Sequence, residues 1–224
     1  MNSISKTTIN FLKDLKQNNN RDWFANNKSI FESEQKLIKK FYVSLQEKLK
    51  EHDEIESLKM FRIYRDVRFS KDKTPYKPHF AGNFVRATNK LRGGYYLRIR
   101  PGESFLAGGF WEPNKEDLLR IRKEFEMDTS EIREILNNPT FIKYFGKLEG
   151  ESLKTAPRGF DKDHPDMDLI KMKQFIVTRS FTDQEVLSPD FLDEINKSFK
   201  AMRPYFNYMS EVLTTDLNGV SIID

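Results

Sequence analysis

The spacing of apolar positions changes twice along the chain, and each change marks a change of architecture. Ile9, Phe11, Leu12 and Leu15 recur at helical intervals, with Thr7 or Thr8 offering a capping hydroxyl and the polar run at 18–20 closing the segment. Asn20 caps a second start. From it Trp23, Phe24, Phe31, Glu34, Leu37, Ile38, Phe41, Tyr42, Leu45 and Leu49 keep the three-four spacing of one long amphipathic helix, or of two helices in line. Between Met60 and Trp111 the period falls to two: Phe61/Ile63, Phe80 to Val85, Tyr95/Leu97/Ile99 and Phe105 to Phe110 read as strands. Turn residues separate them, Asn89 to Gly94 before one strand and Pro101-Gly102-Glu103 between two, and connections this short require antiparallel neighbours.

Helical spacing returns after Glu112-Pro113-Asn114, through Leu118, Leu119, Ile121 and Phe125, then Ile132, Ile135 and Leu136, then Phe141, Tyr144 and Phe145. Lys173 to Arg179 alternates like a strand without a hairpin partner nearby, so it is expected to return to the earlier sheet from a distance. Ser188-Pro189 starts a helix whose face continues through Phe191, Ile195, Phe199, Met202, Phe206, Met209 and Leu213. The expected fold class is therefore α+β, a mainly antiparallel sheet covered by helices, with long amphipathic helices at both ends. No repeat or low-complexity linker interrupts the chain. One domain over 1–224 is expected, with about 215–224 as a tail.

Composition narrows the function classes. The 224 residues contain no cysteine, which removes disulfides, thiolate metal sites and cysteine nucleophiles. Lys plus Arg number 38 against 34 Asp plus Glu, a net charge of +4 that permits an anionic partner without requiring one. No zinc finger, helix-turn-helix or RNA-recognition motif is visible, so nucleic acid is disfavoured. No apolar run reaches signal-peptide or membrane-helix length, and a soluble, cytoplasmic protein without membrane contact is the expectation. Most of the nineteen phenylalanines belong to the core.

The densest chemistry lies in RIYRDVRFSKDKTPYKPHF, residues 62–80, which holds six fixed cations, two acids, two tyrosines and a histidine. Read as a strand, its first half places Arg62, Tyr64, Asp66 and Arg68 on one face and Arg65 on the other, with Asp66 able to accept from both Arg62 and Arg68. Its second half is a loop braced by Pro75 and Pro78, which carries Lys71, Lys73, Lys77, Tyr76 and His79. A second polar loop runs from Pro157 to Pro165 and includes Arg158 and His164, the histidine preceded by Asp161 and Asp163. The grouping of Asp161, Asp163, His164 and Asp166 lacks any established metal-ligand spacing, so no metal is expected. Phosphate-loop, nucleophile-elbow and zincin motifs are missing, and no cofactor is expected.

The run R-x-x-R-D-x-R-F-x-x-D-K-x-x-Y from Arg62 to Tyr76 resembles the signature of a widespread bacterial family, domain of unknown function 2461. NNNRDWF at 18–24, PGESFLAGGFW at 101–111, PRGFDKDHP at 157–165 and LSPDF at 187–191 are similar to that family as well. The resemblance implies no reaction. It singles out Arg62, Arg65, Asp66, Arg68, Phe69, Asp72, Lys73 and Tyr76 for testing.

The functional expectation is a basic pocket for a small phosphate- or carboxylate-bearing ligand, lined by Arg62, Arg65, Asp66, Arg68, Lys73 and Arg158. Arg62 and Arg68 would clamp the anion and Asp66 would orient them. Were the protein a hydrolase or transferase, Tyr76, His79 and His164 would be its proton-transfer groups. The alternative is a non-catalytic interaction or structural domain in which the same charges form an internal salt-bridge network. A third reading, disfavoured, binds nucleic-acid backbone through Lys71, Lys73 and Lys77. Oligomeric state is not specified by the sequence.

Overall fold

The structure, a computed structural model, describes residues 3–223. In chain order the elements are α1 (Lys6–Gln17), α2 (Arg21–Asn26), α3 (Lys28–Lys50), β1 (Ile55–Met60), β2 (Phe80–Arg86), β3 (Gly94–Ile99), β4 (Ser104–Phe110) and α4 (Lys115–Met127). There follow α5 (Ser130–Asn137), α6 (Pro139–Phe145), α7 (Met167–Ile170), β5 (Phe175–Phe181), α8 (Asp183–Val186), α9 (Phe191–Ala201) and α10 (Arg203–Val212). The class is α+β.

Five strands form one antiparallel sheet in the order β1-β2-β3-β4-β5. The first four are a meander, as their short connections require. β5 returns after the helical segment to pair beside β4. Gly109 permits that pairing: it sits at φ +127°, and a Cβ there would run into the carbonyl oxygen of Phe175. Beyond β5 an isolated bridge joins Glu149 to Ile176, which exchange both backbone hydrogen bonds at 2.7 and 2.9 Å.

The first strand lies earlier than the alternation of Phe61 and Ile63 indicated. β1 occupies 55–60, in a stretch whose acidic lead-in resembles a helix end, and the amide of Phe61 still donates to Ala81 O at 2.9 Å. The N-terminal helical stripe is carried by two helices, α2 and α3, divided at Asn27, and the C-terminal stripe by α9 and α10, divided at Met202. Pro204 explains the second break, since it lacks the amide that would continue the ladder and its ring crowds the preceding turn. The buried face nevertheless runs through the break, from Phe191, Ile195 and Phe199 to Phe206 and Met209.

The chain divides into two compact units. The first comprises Met1–Phe84, Tyr96–Leu106 and Ser180–Lys197. Its core is aromatic: Phe31 stacks on Phe80, Tyr42 on Phe84 and Phe41 on Phe191, so α3 covers the face of β2 that carries Phe80 and Phe84. The Tyr42 hydroxyl donates to Leu97 O at 3.0 Å on that same face. Glu34, an acid at a core position of α3, is satisfied by the hydroxyls of Thr8 at 2.5 Å and Ser5 at 3.0 Å.

The second unit comprises Val85–Tyr95, Ala107–Arg179 and Ser198–Asp224. It encloses Arg86, 2% exposed, which donates to Arg92 O at 2.7 Å and Ser210 Oγ at 3.2 Å and lies over the Phe206 ring. Residues 215–223, expected as a tail, close a turn in which Asp216 Oδ1 accepts from the amides of Asn218 and Val220. Among the described residues no helix is long and apolar enough to cross a membrane.

Candidate functional site

Residues 62–68 are not the strand that alternation indicated. Tyr64 and Tyr76 form an isolated antiparallel bridge, flanked by Arg65 N donating to Pro75 O at 2.9 Å and Lys77 N to Ile63 O at 2.7 Å. Beyond the bridge two aspartates capture backbone amides: Asp66 that of Arg68 at 3.2 Å and Asp72 that of Thr74 at 2.9 Å. Such side-chain turns compete with a ladder, and prolines 75 and 78 have no amide to give to one. A narrow hairpin stem with an irregular tip results. Asn19 clamps the stem through both backbone groups of Tyr76, at 2.9 and 3.1 Å, and the Tyr76 ring stacks on Phe24 with centroids 4.0 Å apart. Burial, then the neighbouring Tyr64, raises the Tyr76 hydroxyl pKa against the opposing charge of Arg21.

The tip answers most of its own charge. Arg65 donates to Asp72 at 2.5 Å, to Thr74 O at 3.1 Å, to the Thr74 hydroxyl and to Ser70 Oγ at 3.4 Å. Held by the amide and hydroxyl of Thr74 and by Arg65, the Asp72 carboxyl is pulled down to about 2. Arg68 grips Asp66 with Nε at 3.0 Å and Nη2 at 2.7 Å, and this pairing lowers the carboxyl pKa of Asp66. Lys73 donates to Val67 O at 3.0 Å and Arg68 O at 3.4 Å, tying the tip together. The expected row of Arg62, Asp66 and Arg68 is thus a pair: among the described residues Arg62 forms no hydrogen bond or ion pair, and it acts on Asp66 only through its field. Phe69, at the apex, is 97% exposed.

A second cationic group of the first unit is built differently. In β3 Leu97 and Ile99 are buried toward the helices while Tyr96, Arg98 and, just past the strand, Arg100 take the opposite, half-buried face. His79, immediately before β2, is half-buried and experiences the charges of Arg98, Arg100 and Lys77. Desolvation first, then those three cations, push its pKa from 6.5 down to about 4, so the ring is neutral at physiological pH. Among the described residues one carboxylate pairs with these arginines: Glu103 stands 3.8 Å from Arg98 and 3.3 Å from Arg100 and is shared with Lys16 at 3.9 Å, while its backbone carbonyl accepts from Arg98 Nη2 at 3.1 Å. Among the described residues His79 Nδ1, Arg98 Nε and Arg100 Nε are buried without a hydrogen-bond partner. Three rings accompany the charges: Phe61 and Tyr96 have centroids 6.4 Å apart, Tyr96 and Phe105 5.5 Å.

The remaining predicted residues belong to the second unit. His164 is held at both ring nitrogens, Nε2 by Glu126 O at 3.1 Å and Nδ1 by the amide of Asp166 at 3.1 Å. Arg158 is exposed and forms no hydrogen bond or ion pair among the described residues. A cleft of about 630 Å³ in this unit is lined by Arg133, Leu136, Ile142, Gly150, Asp168 and Met172 among others. Arg133 is occupied by Asp166 at 2.6 Å and Asp168 at 2.7 Å. Among the described residues no group of three His, Asp or Glu side chains is placed to hold a metal ion.

A family model described as conserved hypothetical protein (DUF2461) matches residues 7–208. The chain belongs to the DUF2461 family. No curated protein and no solved structure matches it. In this DUF2461 chain, Arg65, Asp66, Arg68, Asp72 and Lys73 bind one another or the backbone of their own loop, and Tyr76 joins that loop to α2. Of the residues the sequence reading named, Lys77 and His79 lie in the cluster with Arg98 and Arg100, where the two arginines share the one carboxylate of Glu103 with Lys16. Arg98 and Arg100 were missed. The signal was present as the polar half of Tyr96-Leu-Arg98-Ile-Arg100, an alternation read above only for its apolar half.

Proposed function

We propose that the protein binds an anionic ligand, phosphate- or carboxylate-bearing, at Lys77, Arg98 and Arg100 beside His79. The observation that carries this reading is the charge imbalance around the histidine: three cations converge there, and Glu103 is divided among Arg98, Arg100 and Lys16. A cluster so desolvated is costly unless a counter-charge arrives, and a bound anion supplies one. Guanidinium forks and a lysine are the groups that hold phosphate and carboxylate oxygens. Binding would also raise the basicity of His79, because the repulsion that adds to desolvation in keeping it unprotonated is then neutralised. Any proton transfer by His79 would therefore be coupled to occupancy of the site.

The internal-network reading is favoured for a different region, the 62–74 tip, where Arg65, Asp66, Arg68, Asp72 and Lys73 already have partners. There the charges brace a loop, and the anion reading uses none of them.

Calorimetric titration with inorganic phosphate and pyrophosphate tests the proposal. Pyrophosphate should bind the wild-type protein and bind Arg98→Met or Arg100→Met at least tenfold more weakly, a change of about 1.4 kcal/mol. Equal binding by the wild type and both variants, or no binding at all, rejects it.

A further inference from the structure

The anion cluster shares its sheet face with a row of aromatic rings, and the two together describe a ligand more closely than either alone. Tyr96 stands between Phe61 at 6.4 Å and Phe105 at 5.5 Å, centroid to centroid. Cations flank both ends of the row: the Arg98 guanidinium lies 4.3 Å from the Phe105 centroid and Lys77 Nζ 5.9 Å from that of Phe61. All three rings are half-buried, whereas the rings on the other face of the strands, Phe80 and Phe84, are buried against α3. Core packing against α3 therefore accounts for Phe80 and Phe84, whereas Phe61, Tyr96 and Phe105 keep part of each ring exposed.

Aromatic rings in sequence beside positively charged side chains are what a single-stranded nucleic acid requires, since each base offers a face to stack and each nucleotide a phosphate to neutralise. Building on the anion reading above, we infer that the ligand is a single-stranded nucleic-acid segment, its phosphates held by Lys77, Arg98 and Arg100 and its bases stacked along Phe61, Tyr96 and Phe105. A duplex keeps its base faces inside the stack and has nothing to place on the rings. A mononucleotide covers one ring of the three, so a row favours a strand. An acidic peptide matches the cations and leaves the rings unused. The modest net charge of +4 does not oppose this, because the cations that matter are gathered on one face.

Fluorescence anisotropy with labelled ten-nucleotide oligothymidine and oligouridine, with a duplex of equal length and with uridine monophosphate as competitor, tests the inference. The single strands should bind at least tenfold more tightly than either the duplex or the mononucleotide. Their affinity should fall with salt at a logarithmic slope of about −2 if three phosphates are neutralised. Tyr96→Leu and Phe105→Leu, which keep an apolar side chain on the sheet, should each weaken oligonucleotide binding by about tenfold and leave pyrophosphate binding within about twofold. If Tyr96→Leu fails to fold, Phe105→Leu and the contrast between single strand and duplex in the wild type decide the matter. Equal affinity for strand and duplex, equal affinity for strand and mononucleotide, or leucine variants that bind the strand like the wild type would each overturn the inference. In those cases pyrophosphate binding that is lost in Arg98→Met leaves the anion reading standing. Failure of pyrophosphate and oligonucleotide alike removes both.

Discussion

Two regions of the first unit carry clustered cations, and they differ in whether those cations are answered. At the 62–74 tip, Arg65 has Asp72 and Thr74, Arg68 has Asp66, and Lys73 has two carbonyls. On the sheet face, Lys77, Arg98 and Arg100 act together on a neutral histidine, Arg98 has the Glu103 carbonyl at 3.1 Å, and the one carboxylate of Glu103 is divided between the two arginines and Lys16. The tip has the higher density of charge in sequence and the lower demand for a ligand. Charge density alone therefore points to the wrong place; what matters is the set of partners each charge already has, because an unanswered desolvated charge is the one that gains most from a ligand.

The comparison can be broken most forcefully by removing an arginine from each region. Arg65→Met should lower stability by about 2 kcal/mol, since it strands the Thr74 carbonyl and dissolves the tip, or about 4–8 °C in Tm for a chain of this size. Its pyrophosphate affinity should match the wild type. Arg98→Met should show the converse, at least a tenfold loss of affinity with Tm changed by less than about 2 °C. Reversed results, with Arg65 controlling affinity and Arg98 stability, would exchange the roles assigned to the two regions.

Acid unfolding separates them next. The unfolded His79 titrates at 6.5 and the folded one at about 4, so between those values the unfolded chain binds more protons and stability falls as pH is lowered through the window. His79→Gln should flatten that limb, seen as a smaller difference between chemical-denaturation midpoints at the two ends of the window. Asp72 acts lower, contributing stability that is complete above 3.8 and lost as pH falls toward about 2. Asp72→Asn should leave the His79 window unchanged. The smallest effect is expected for Asp66→Asn, because Asp66 and Arg68 are paired in solvent, where such pairs contribute little. Its Tm should be indistinguishable from that of the wild type by scanning calorimetry.

Much of the fold was legible because the signals were periodic. Strands β2 to β5 follow alternation, and the return of Lys173 to Arg179 was expected from its lack of a nearby partner. β1 was hidden because EHDEIES has the composition of a helix end, although Ile55 is buried and the segment pairs with β2. Residues 62–68 alternate like a strand yet do not form one, since Asp66 and Asp72 take amides that a ladder would use. Arg86 gave no sequence signal for its burial, because its partners, Arg92 O and Ser210 Oγ, are brought to it by the fold. The sheet-face cluster was half legible. Lys77 and His79 stood out beside prolines, while Arg98 and Arg100 were passed over as the solvent half of a strand, and the lack of partners for their buried Nε groups exists only in three dimensions.

The central claim is that the charge around His79 awaits an anion, and the titration of that one ring measures it most directly. Followed by NMR in the free protein, His79 should titrate near 4; with saturating pyrophosphate its pKa should rise, because the repulsion from Lys77, Arg98 and Arg100 is neutralised while the desolvation of the ring persists. A free-protein value already near 6.5, or a value that saturating pyrophosphate leaves unmoved, would contradict the account.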